Sequence, residues 1–212
     1  MAGSRPALES VQIAVFAKAP LPGLAKTRLI PALGAQGAAR LQRRFTRDTV
    51  RVAEQAQLGS VTIWCTPDPL HRFFRALERT ADVQCRAQTG DDLGQRMLRA
   101  FEHHCAHGPL LLIGTDCPTL TSEHLRDAAN CLLDGDHAVF LPTEDGGYGL
   151  IGLQRPLPAL FDGIQWSTAH VMTQTRERLR SQRAVWREPA TLWDVDRPED
   201  LPRLAALWKA GR

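Results

Sequence analysis

The stretch VQIAVFAKAPLPGLAKTRLIPALG, residues 11–34, joins a mostly apolar run to a short basic loop. Its first seven residues, 11–17, are apolar and rich in β-branched side chains, which predicts a buried strand. Lys18, Lys26 and Arg28 follow in the loop. Because ligands of open α/β sheets bind beyond the carboxyl ends of the strands, this position predicts a loop that holds the phosphates of a nucleotide.

Beyond this stretch, apolar runs of strand length alternate with segments of helical periodicity. Further strands are predicted at 60–66, 83–87, 109–114, 138–141, 148–154 and 184–186. Helices are predicted at 35–57, 69–79, 93–107, 122–133, 168–182 and 198–210. The alternation predicts an α/β fold with a mainly parallel, Rossmann-like sheet and helices on both faces. The Gly-Gly bend at 146–147 predicts a small antiparallel insertion, and the lack of a long linker predicts one domain over 1–212.

Composition excludes several classes of protein. The chain has 212 residues, 43% hydrophobic and 23% charged, with a net charge of +3, so it lacks the basic field of a nucleic-acid-binding protein. Its five cysteines form no CxxC motif, which favours reduced thiols in a cytoplasmic protein. No apolar run reaches the roughly 18 residues of a membrane span, and residues 1–10 lack the apolar core of an export signal. Nothing in the sequence indicates an oligomeric state.

The basic loop has the features of an anion site. Gly23 permits a tight turn, the neighbouring prolines restrict other shapes, and backbone N–H groups in such turns bind anions. The pattern GxxxxGK[ST] is absent, so this is not a Walker A loop. We expect the loop to be exposed, and the alternative is a solvated loop whose cations only aid solubility. The candidate phosphate-binding residues are Lys18, Gly23, Lys26, Thr27 and Arg28.

Carboxylates follow two other parts of the predicted sheet. Asp116 comes directly after the apolar run PLLLIG, residues 109–114. Asp194 and Asp196 are two residues apart, so they face the same side of an extended segment. Carboxylate oxygens suit Mg²⁺ or Mn²⁺, which makes these three residues candidate metal ligands. The alternatives are that Asp116 caps the turn before the helix at Ser122 and that Asp196 caps the last helix.

The stretch TEDGGYGL, residues 143–150, carries two more acids before the Gly-Gly bend. Glu144 or Asp145 could bind an acceptor hydroxyl or act as the catalytic base. The alternative is an ordinary hairpin turn. Two further patterns predict structural roles: His103 and His107 lie on a helix surface, and Cys117 is a buried neighbour of Asp116.

Six motifs taken in order carry a family resemblance that covers about residues 12–201. They are VFAKAPLPGLAKTRL (15–29), GDDLGQRM (90–97), IGTDCPTL (113–120), PTEDGGYGLIGL (142–153), WST (166–168) and DVDRPEDL (194–201). Together they resemble a family of small bacterial GT-A-like glycosyltransferases, the selenodomain-associated transferases. The KTRL loop is also similar to that of phospholactate guanylyltransferases, and DVDRPEDL resembles the end of several nucleotidyltransferases. The sequence departs from the family pattern at Asp91, where glycine is expected, and at Gly149, where an aromatic residue is expected.

The resemblance implies a nucleotide-diphospho-sugar transferase fold and dependence on a divalent metal. It places the cationic loop at Lys18, Lys26 and Arg28, one metal ligand at Asp116, and a second at Asp194 or Asp196. The leading hypothesis is a metal-dependent transferase that moves a sugar from a nucleotide-sugar donor to a small-molecule acceptor. The first alternative is a nucleotidyltransferase that joins an NTP to a phosphorylated small-molecule acceptor. The second is a non-catalytic nucleotide-binding accessory protein, which would not need two metal carboxylates.

Overall fold

The computed structural model describes residues 7–211, in which seven strands form one sheet. The strands are β1 (Gln12–Lys18), β2 (Val61–Thr66), β3 (Val83–Ala87), β4 (Leu110–Ile113), β5 (Ala138–Pro142), β6 (Tyr148–Leu153) and β7 (Trp186–Arg187). The helices are α1 (Ile30–Gln55), α2 (Arg72–Thr80), α3 (Leu93–His104), α4 (Ser122–Leu133), α5 (Val171–Ser181) and α6 (Leu201–Lys209). The prediction that no export signal occupies residues 1–10 falls mostly outside the described residues.

The strand order is β3-β2-β1-β4-β6-β5-β7, and every neighbouring pair is parallel except the two pairs that contain β6. This confirms the mainly parallel sheet. The predicted antiparallel element is strand β6, which lies within the main sheet between β4 and β5. Its residues Gly149–Leu153 are buried, so the hairpin after the Gly-Gly bend completes the centre of the sheet.

The alternation of side chains along β1 explains why helices cover both faces. Ile13 and Val15 pack in one core cluster with residues of α1, α2 and α4. Ala14, on the opposite face, packs in a second cluster with Phe101 of α3 and Met172 of α5. Residues two apart in a strand share a face, so one strand feeds both cores. The prediction of helices on both faces is therefore confirmed.

Helix α4 has its predicted bounds, whereas the ends of the other five helices differ from the prediction by up to five residues. Helix α4 is capped by Thr121, whose hydroxyl accepts a hydrogen bond from His124 N at 3.3 Å. Ser122 is the first helical residue, as the predicted helix over 122–133 requires. Helix α3 ends at His104 rather than at residue 107. The end of α3 lies within one turn of the predicted end, and helix ends are the least certain part of a sequence prediction.

The carboxyl ends of β1, β4 and β5 lie along one edge of the sheet. The segment 192–196 runs across this edge, because Leu192 N donates to Pro142 O at 2.8 Å and Val195 N donates to Asp116 O at 2.9 Å. The motifs that follow β4 and β5 are thereby joined to residues 194–196, which we call the DVD segment. Within residues 7–211, none of the helices is long and apolar enough to cross a membrane.

Candidate active site

The loop after β1 is exposed over most of its length. Gly23 has φ of +82°, a left-handed conformation that glycine adopts without strain. Lys18, at the end of β1, and Thr27, at the start of a 3₁₀ turn, are also exposed. The guanidinium-bearing side chain of Arg28 is 57% exposed. These positions agree with the expected solvent-facing loop.

Lys26 differs from the other candidate residues of this loop, since its side chain is only 3% exposed. Its Nζ lies 2.8 Å from Asp116 Oδ1, donates to Val195 O at 2.7 Å and stands 5.2 Å from the centre of the Phe45 ring. The expectation of an exposed lysine was therefore wrong. The carboxylate, carbonyl and aromatic ring supply the partners that let this ammonium group leave water. We call Lys26, Asp116 and Val195 the Lys26 clasp.

Asp116 takes part in the clasp through only one of its carboxylate oxygens. Its Oδ1 receives Lys26 Nζ and the hydroxyl of Thr115, the latter at 3.3 Å, while the side chain remains 47% exposed. Among the hydrogen bonds and ion pairs of residues 7–211, none uses Asp116 Oδ2. The cap of α4 is Thr121, so the alternative role of Asp116 as the cap before this helix is not observed.

Asp196 pairs with Arg28 across the cleft in a short ion pair. It does not cap the final helix, since Asp200 Oδ2 accepts from Asp196 N at 2.9 Å and from Arg197 N at 2.7 Å. Asp194 lies deeper. Its pKa is raised from 3.8 to about 6, first by burial and then by the negative charges of Asp145, Asp116 and Asp196. The carboxylate of Asp194 therefore sits in a pocket of negative potential that a cation would relieve.

The two acids before the Gly-Gly bend have different surroundings. Glu144 forms a two-pronged pair with Arg203, at 2.7 and 3.0 Å, and the hydrogen bond from Arg203 lowers the pKa of Glu144. Asp145 Oδ1 accepts from Thr143 Oγ1 at 2.6 Å and from Gly147 N at 3.0 Å, which fixes its orientation in the turn. A lowered pKa makes Glu144 a weak proton acceptor at neutral pH.

A cleft of about 380 Å³ lies at the carboxyl edge of the sheet. Of the predicted site residues, Arg28, Glu144, Asp145, Asp194 and Asp196 line it, and the Lys26 clasp ties Asp116 to the same segment. Lys18, Gly23 and Thr27 are not among its lining residues. The structure thus brings the acidic candidates together with one of the predicted cations.

A divalent cation fits this donor set in part. Within residues 7–211, no group of three or more His, Cys, Asp or Glu side chains is arranged to hold a metal ion by itself. Asp145 and Asp194 have no cationic partner among the ion pairs of the described residues, and their mutual repulsion helps to raise the pKa of Asp194. Mg²⁺ and Mn²⁺ commonly take one or two protein carboxylates and complete their shell with phosphate oxygens and water. Asp116 and Asp194 suit that mode of binding.

The far wall of the cleft consists largely of residues that were not among the predicted site residues. Ser167, with φ of +63°, lines it together with Thr168, Arg197 and Arg203. Trp166 of the WST motif packs directly against Gly94 of α3, since a Cβ at Gly94 would lie 2.7 Å from the Trp166 ring. This contact positions the motif. Two features of the sequence could have predicted this wall: the order of the motifs along the chain and the basic residue in PEDLPRL, residues 198–204.

The departure from the family pattern at Gly149 has a steric cause. A Cβ at this position would lie 2.6 Å from Cys117 Sγ and 3.3 Å from Leu192 Cδ1, so an aromatic side chain has no room. Cys117 is buried as predicted, and burial raises the pKa of its thiol well above the ordinary range. A reactive thiolate at this position is therefore disfavoured.

Comparisons with known proteins agree with this architecture. Residues 49–168 match the model of a family described as "uncharacterized protein conserved in bacteria (DUF2064)". A crystal structure from Desulfovibrio desulfuricans G20, provisionally described as a nucleotide-diphospho-sugar transferase, shares 32% identity over 96% of this chain and 89% of its own, with a TM-score of 0.86.

Two more distant structures share the fold. CMP:2-keto-3-deoxy-manno-octonic acid synthetase in complex with CTP is 14% identical over 95% of this chain and 99% of its own, with a TM-score of 0.60. The Mycobacterium tuberculosis H37Rv protein Rv0371c in complex with manganese is 16% identical over 92% of this chain and 97% of its own, with a TM-score of 0.52. A comparison with curated proteins found no match.

Proposed function

We propose that this chain, which belongs to the bacterial DUF2064 family, is a divalent-metal-dependent transferase that uses a nucleotide-sugar donor. The observation that carries the proposal is the convergence of Asp116, Asp145, Asp194 and Asp196 on one edge of the sheet, with Arg28 facing them. An acidic pocket beside an exposed arginine suits a diphosphate that arrives with a divalent cation. The similarity to the Desulfovibrio protein supports the same substrate class.

On this proposal the donor diphosphate lies along the loop after β1. Arg28 can bind phosphate oxygens through its planar guanidinium once it leaves Asp196, and both partners are exposed enough to separate at low cost. Lys18, Gly23 and Thr27 would add charge and backbone N–H groups at the outer end of the loop. Lys26 would act from behind Asp116 rather than on the phosphate, because its ammonium group is already engaged.

Asp116 and Asp194 are the residues proposed to hold the Mg²⁺ or Mn²⁺ ion, with Asp196 beside them. A bound divalent ion would neutralise the charge that develops on the leaving diphosphate. Asp145 is the better candidate for the base that accepts the acceptor's proton. Its Oδ1 is fixed by Thr143 and Gly147, whereas the Glu144 carboxylate is occupied by Arg203.

Nucleotidyl transfer is the second candidate, and the arginines of the far wall favour it. An acceptor that is already anionic, such as a phosphate monoester, needs no base at all. Arg197 and Arg203 line the far wall, where such an acceptor would lie. In that reaction the acceptor phosphate attacks the α-phosphorus of an NTP and pyrophosphate leaves. Catalysis would then depend on positioning and charge stabilisation.

The two reactions release different products, so one experiment separates them. Purified protein is incubated with Mn²⁺ and a panel of nucleotide sugars and NTPs, with and without small sugar phosphates and alcohols as acceptors. Sugar transfer or donor hydrolysis releases a nucleoside diphosphate, whereas nucleotidyl transfer releases pyrophosphate. Asp116→Asn is the blank. Metal-dependent release of a nucleoside diphosphate that is lost in Asp116→Asn supports the leading proposal, and release that ignores both metal and the substitution contradicts it.

A further inference from the structure

We propose that Gln42, buried in α1, is a positioning residue that orients the Asp116 carboxylate through the hydroxyl of Thr115. The proposal rests on the proposed function, because it assigns Gln42 a task in preparing Asp116 for the metal. Gln42 is 4% exposed and Thr115 is 6% exposed. Neither lines the cleft that holds Arg28 and Asp194.

A chain of hydrogen bonds connects the helix to the site. Gln42 Nε2 donates to Thr115 Oγ1 at 3.1 Å, and Thr115 Oγ1 donates to Asp116 Oδ1 at 3.3 Å. Gln42 Nε2 also donates to Thr46 Oγ1 at 3.3 Å. The chain therefore starts inside the core and ends on the carboxylate proposed to bind metal.

Thr46 fixes the direction of this chain. Its hydroxyl donates to the main-chain oxygen of Gln42 at 3.0 Å, so its oxygen can only accept from the Gln42 side chain. The amide nitrogen of Gln42, and not its oxygen, must face both hydroxyls. Thr115 then uses a lone pair to accept from Gln42, which leaves its single proton for Asp116.

The result is a carboxylate held on one side. Thr115 and Lys26 both donate to Oδ1, while Oδ2 has no partner among the described residues. Metal-binding side chains are commonly held in this way by hydrogen bonds from a layer behind them. With Oδ1 fixed on the protein side, Oδ2 is the oxygen left for a cation.

Packing alone does not explain a glutamine at this position. Its buried neighbours on α1 include the apolar residues Ala38, Ala39, Leu41 and Phe45, and the hydroxyl of the buried Thr46 already has an acceptor in Gln42 O. Burying an amide group is costly unless it is hydrogen-bonded, and an apolar side chain would avoid that cost in the core. We therefore infer that this chain of hydrogen bonds serves to orient the Asp116 carboxylate.

The test measures Mn²⁺ binding directly, by the loss of the free-ion signal in electron paramagnetic resonance. The ion is titrated alone and together with inorganic pyrophosphate, the group common to NTPs and nucleotide sugars. Gln42→Met removes the donor but keeps a side chain of similar length. We expect its Mn²⁺ affinity to be about tenfold weaker than that of the wild type. Thr115→Val should weaken binding similarly, and Thr115→Ser, which keeps the hydroxyl, should restore it.

Non-additivity separates positioning from a general loss of stability. Because Gln42 acts through Thr115, the double variant Gln42→Met/Thr115→Val should bind Mn²⁺ no more weakly than Thr115→Val alone. The matched control is Thr49→Val, a buried threonine on the same helix, which should bind like the wild type. If Gln42→Met does not fold, the Thr115 variants still decide the question.

Each outcome bears on the proposal. Wild-type affinity in Gln42→Met or Thr115→Val, combined with loss of binding in Asp116→Asn, would overturn the role of Gln42 and leave the proposed function standing. Additive losses in the double variant would also overturn it. Equal Mn²⁺ binding by wild type and Asp116→Asn would overturn the metal site and the role of Gln42 together.

Discussion

The Lys26 clasp joins a cation to a carboxylate at the carboxyl edge of the sheet, and so do two outer ion pairs, Arg28–Asp196 and Arg203–Glu144. Only the cation of the clasp is shielded from water. The Lys26 side chain is 3% exposed, whereas Arg28 and Arg203 are 57% and 53% exposed. Exposed ion pairs contribute little to stability and can open readily. Removing one partner of a buried ion pair, in contrast, greatly lowers the stability of the protein. The comparison indicates a site with a fixed inner side and an adaptable outer side.

The contrast is sharpest between Lys26 and Arg28, which lie two residues apart in one loop. Lys26 reaches under the DVD segment to the end of β4, and Arg28 meets the same segment from the solvent side. One cation therefore organises the carboxylates, and the other remains available to a ligand. The four substitutions below test this division, in order of decreasing expected effect.

The largest effect is expected for Asp116→Asn on turnover. Loss of a partner behind a metal ligand costs about 10- to 100-fold, so replacing the ligand itself should lower metal-dependent turnover more than about 100-fold. The measurement is the rate of product release at saturating Mn²⁺. Turnover within a few-fold of the wild type would show that Asp116 does not hold the ion.

The second effect is a loss of stability in Lys26→Met. The substitution keeps much of the aliphatic volume but leaves Asp116 Oδ1 and Val195 O without their ammonium donor. A buried group left unsatisfied costs about 1–3 kcal/mol, and since Asp116 is 47% exposed we expect the lower part of this range. Urea unfolding of both proteins measures the difference. Unchanged stability would mean that the clasp is not a structural unit.

Asp194→Asn should stabilise the ligand-free protein, and the gain should depend on pH. The pKa of Asp194 is raised from 3.8 to about 6, first by burial and then by neighbouring carboxylates, so the folded state disfavours the charged form and loses stability as the pH rises through this interval. Asparagine removes the penalty. We expect a gain of roughly 1 kcal/mol at pH 8, after allowing for solvent screening, that fades between about pH 6 and pH 4.

The melting temperature of Asp194→Asn and wild type at pH 8 and pH 4 measures this gain. The control is Asp162→Asn, an exposed residue of the connecting segment before α5. A gain in Asp194→Asn that is the same at both pH values, or no gain at either, would contradict the electrostatic account. The stabilised variant should also lose Mn²⁺ affinity, because binding sites commonly retain repulsion that the ligand relieves.

The smallest stability effect is expected for Arg28→Met. Its ion pair with Asp196 is exposed on both sides, so the free energy of unfolding should change by less than about 0.5 kcal/mol. The same substitution should raise the KM for the donor. A loss of stability as large as that of Lys26→Met would remove the distinction between the inner and outer sides.

Most strands and helices of this fold could be predicted from local patterns of apolar residues in the sequence. Strand β3 (Val83–Ala87) and helix α4 (Ser122–Leu133) have the predicted bounds. The position of β6 inside the sheet was not predictable in the same way. Strand order depends on long-range pairing, here of Ile113 with Leu150 and of Ala138 with Leu153, and the Gly-Gly bend indicates only that the chain reverses.

The site shows the same limit at the level of side chains. Acids and cations at strand ends identified the correct edge, because the carboxyl ends of parallel strands meet there. The burial of Lys26 was missed, since the ring of Phe45 and the carbonyl of Val195 come from distant parts of the chain. Gln42 gave no signal, because one glutamine on an amphipathic helix looks like any other polar residue until Thr115 is placed beside it.

The most direct test of the account is a crystal of the protein soaked with Mn²⁺ and examined for anomalous scattering. The account predicts one strong peak at the carboxyl edge of the sheet, bound by Asp116 and Asp194 and close to Arg28. A peak elsewhere, or an edge at which Asp116 and Asp194 bind no ion while the crystal holds Mn²⁺ at other residues, would contradict it.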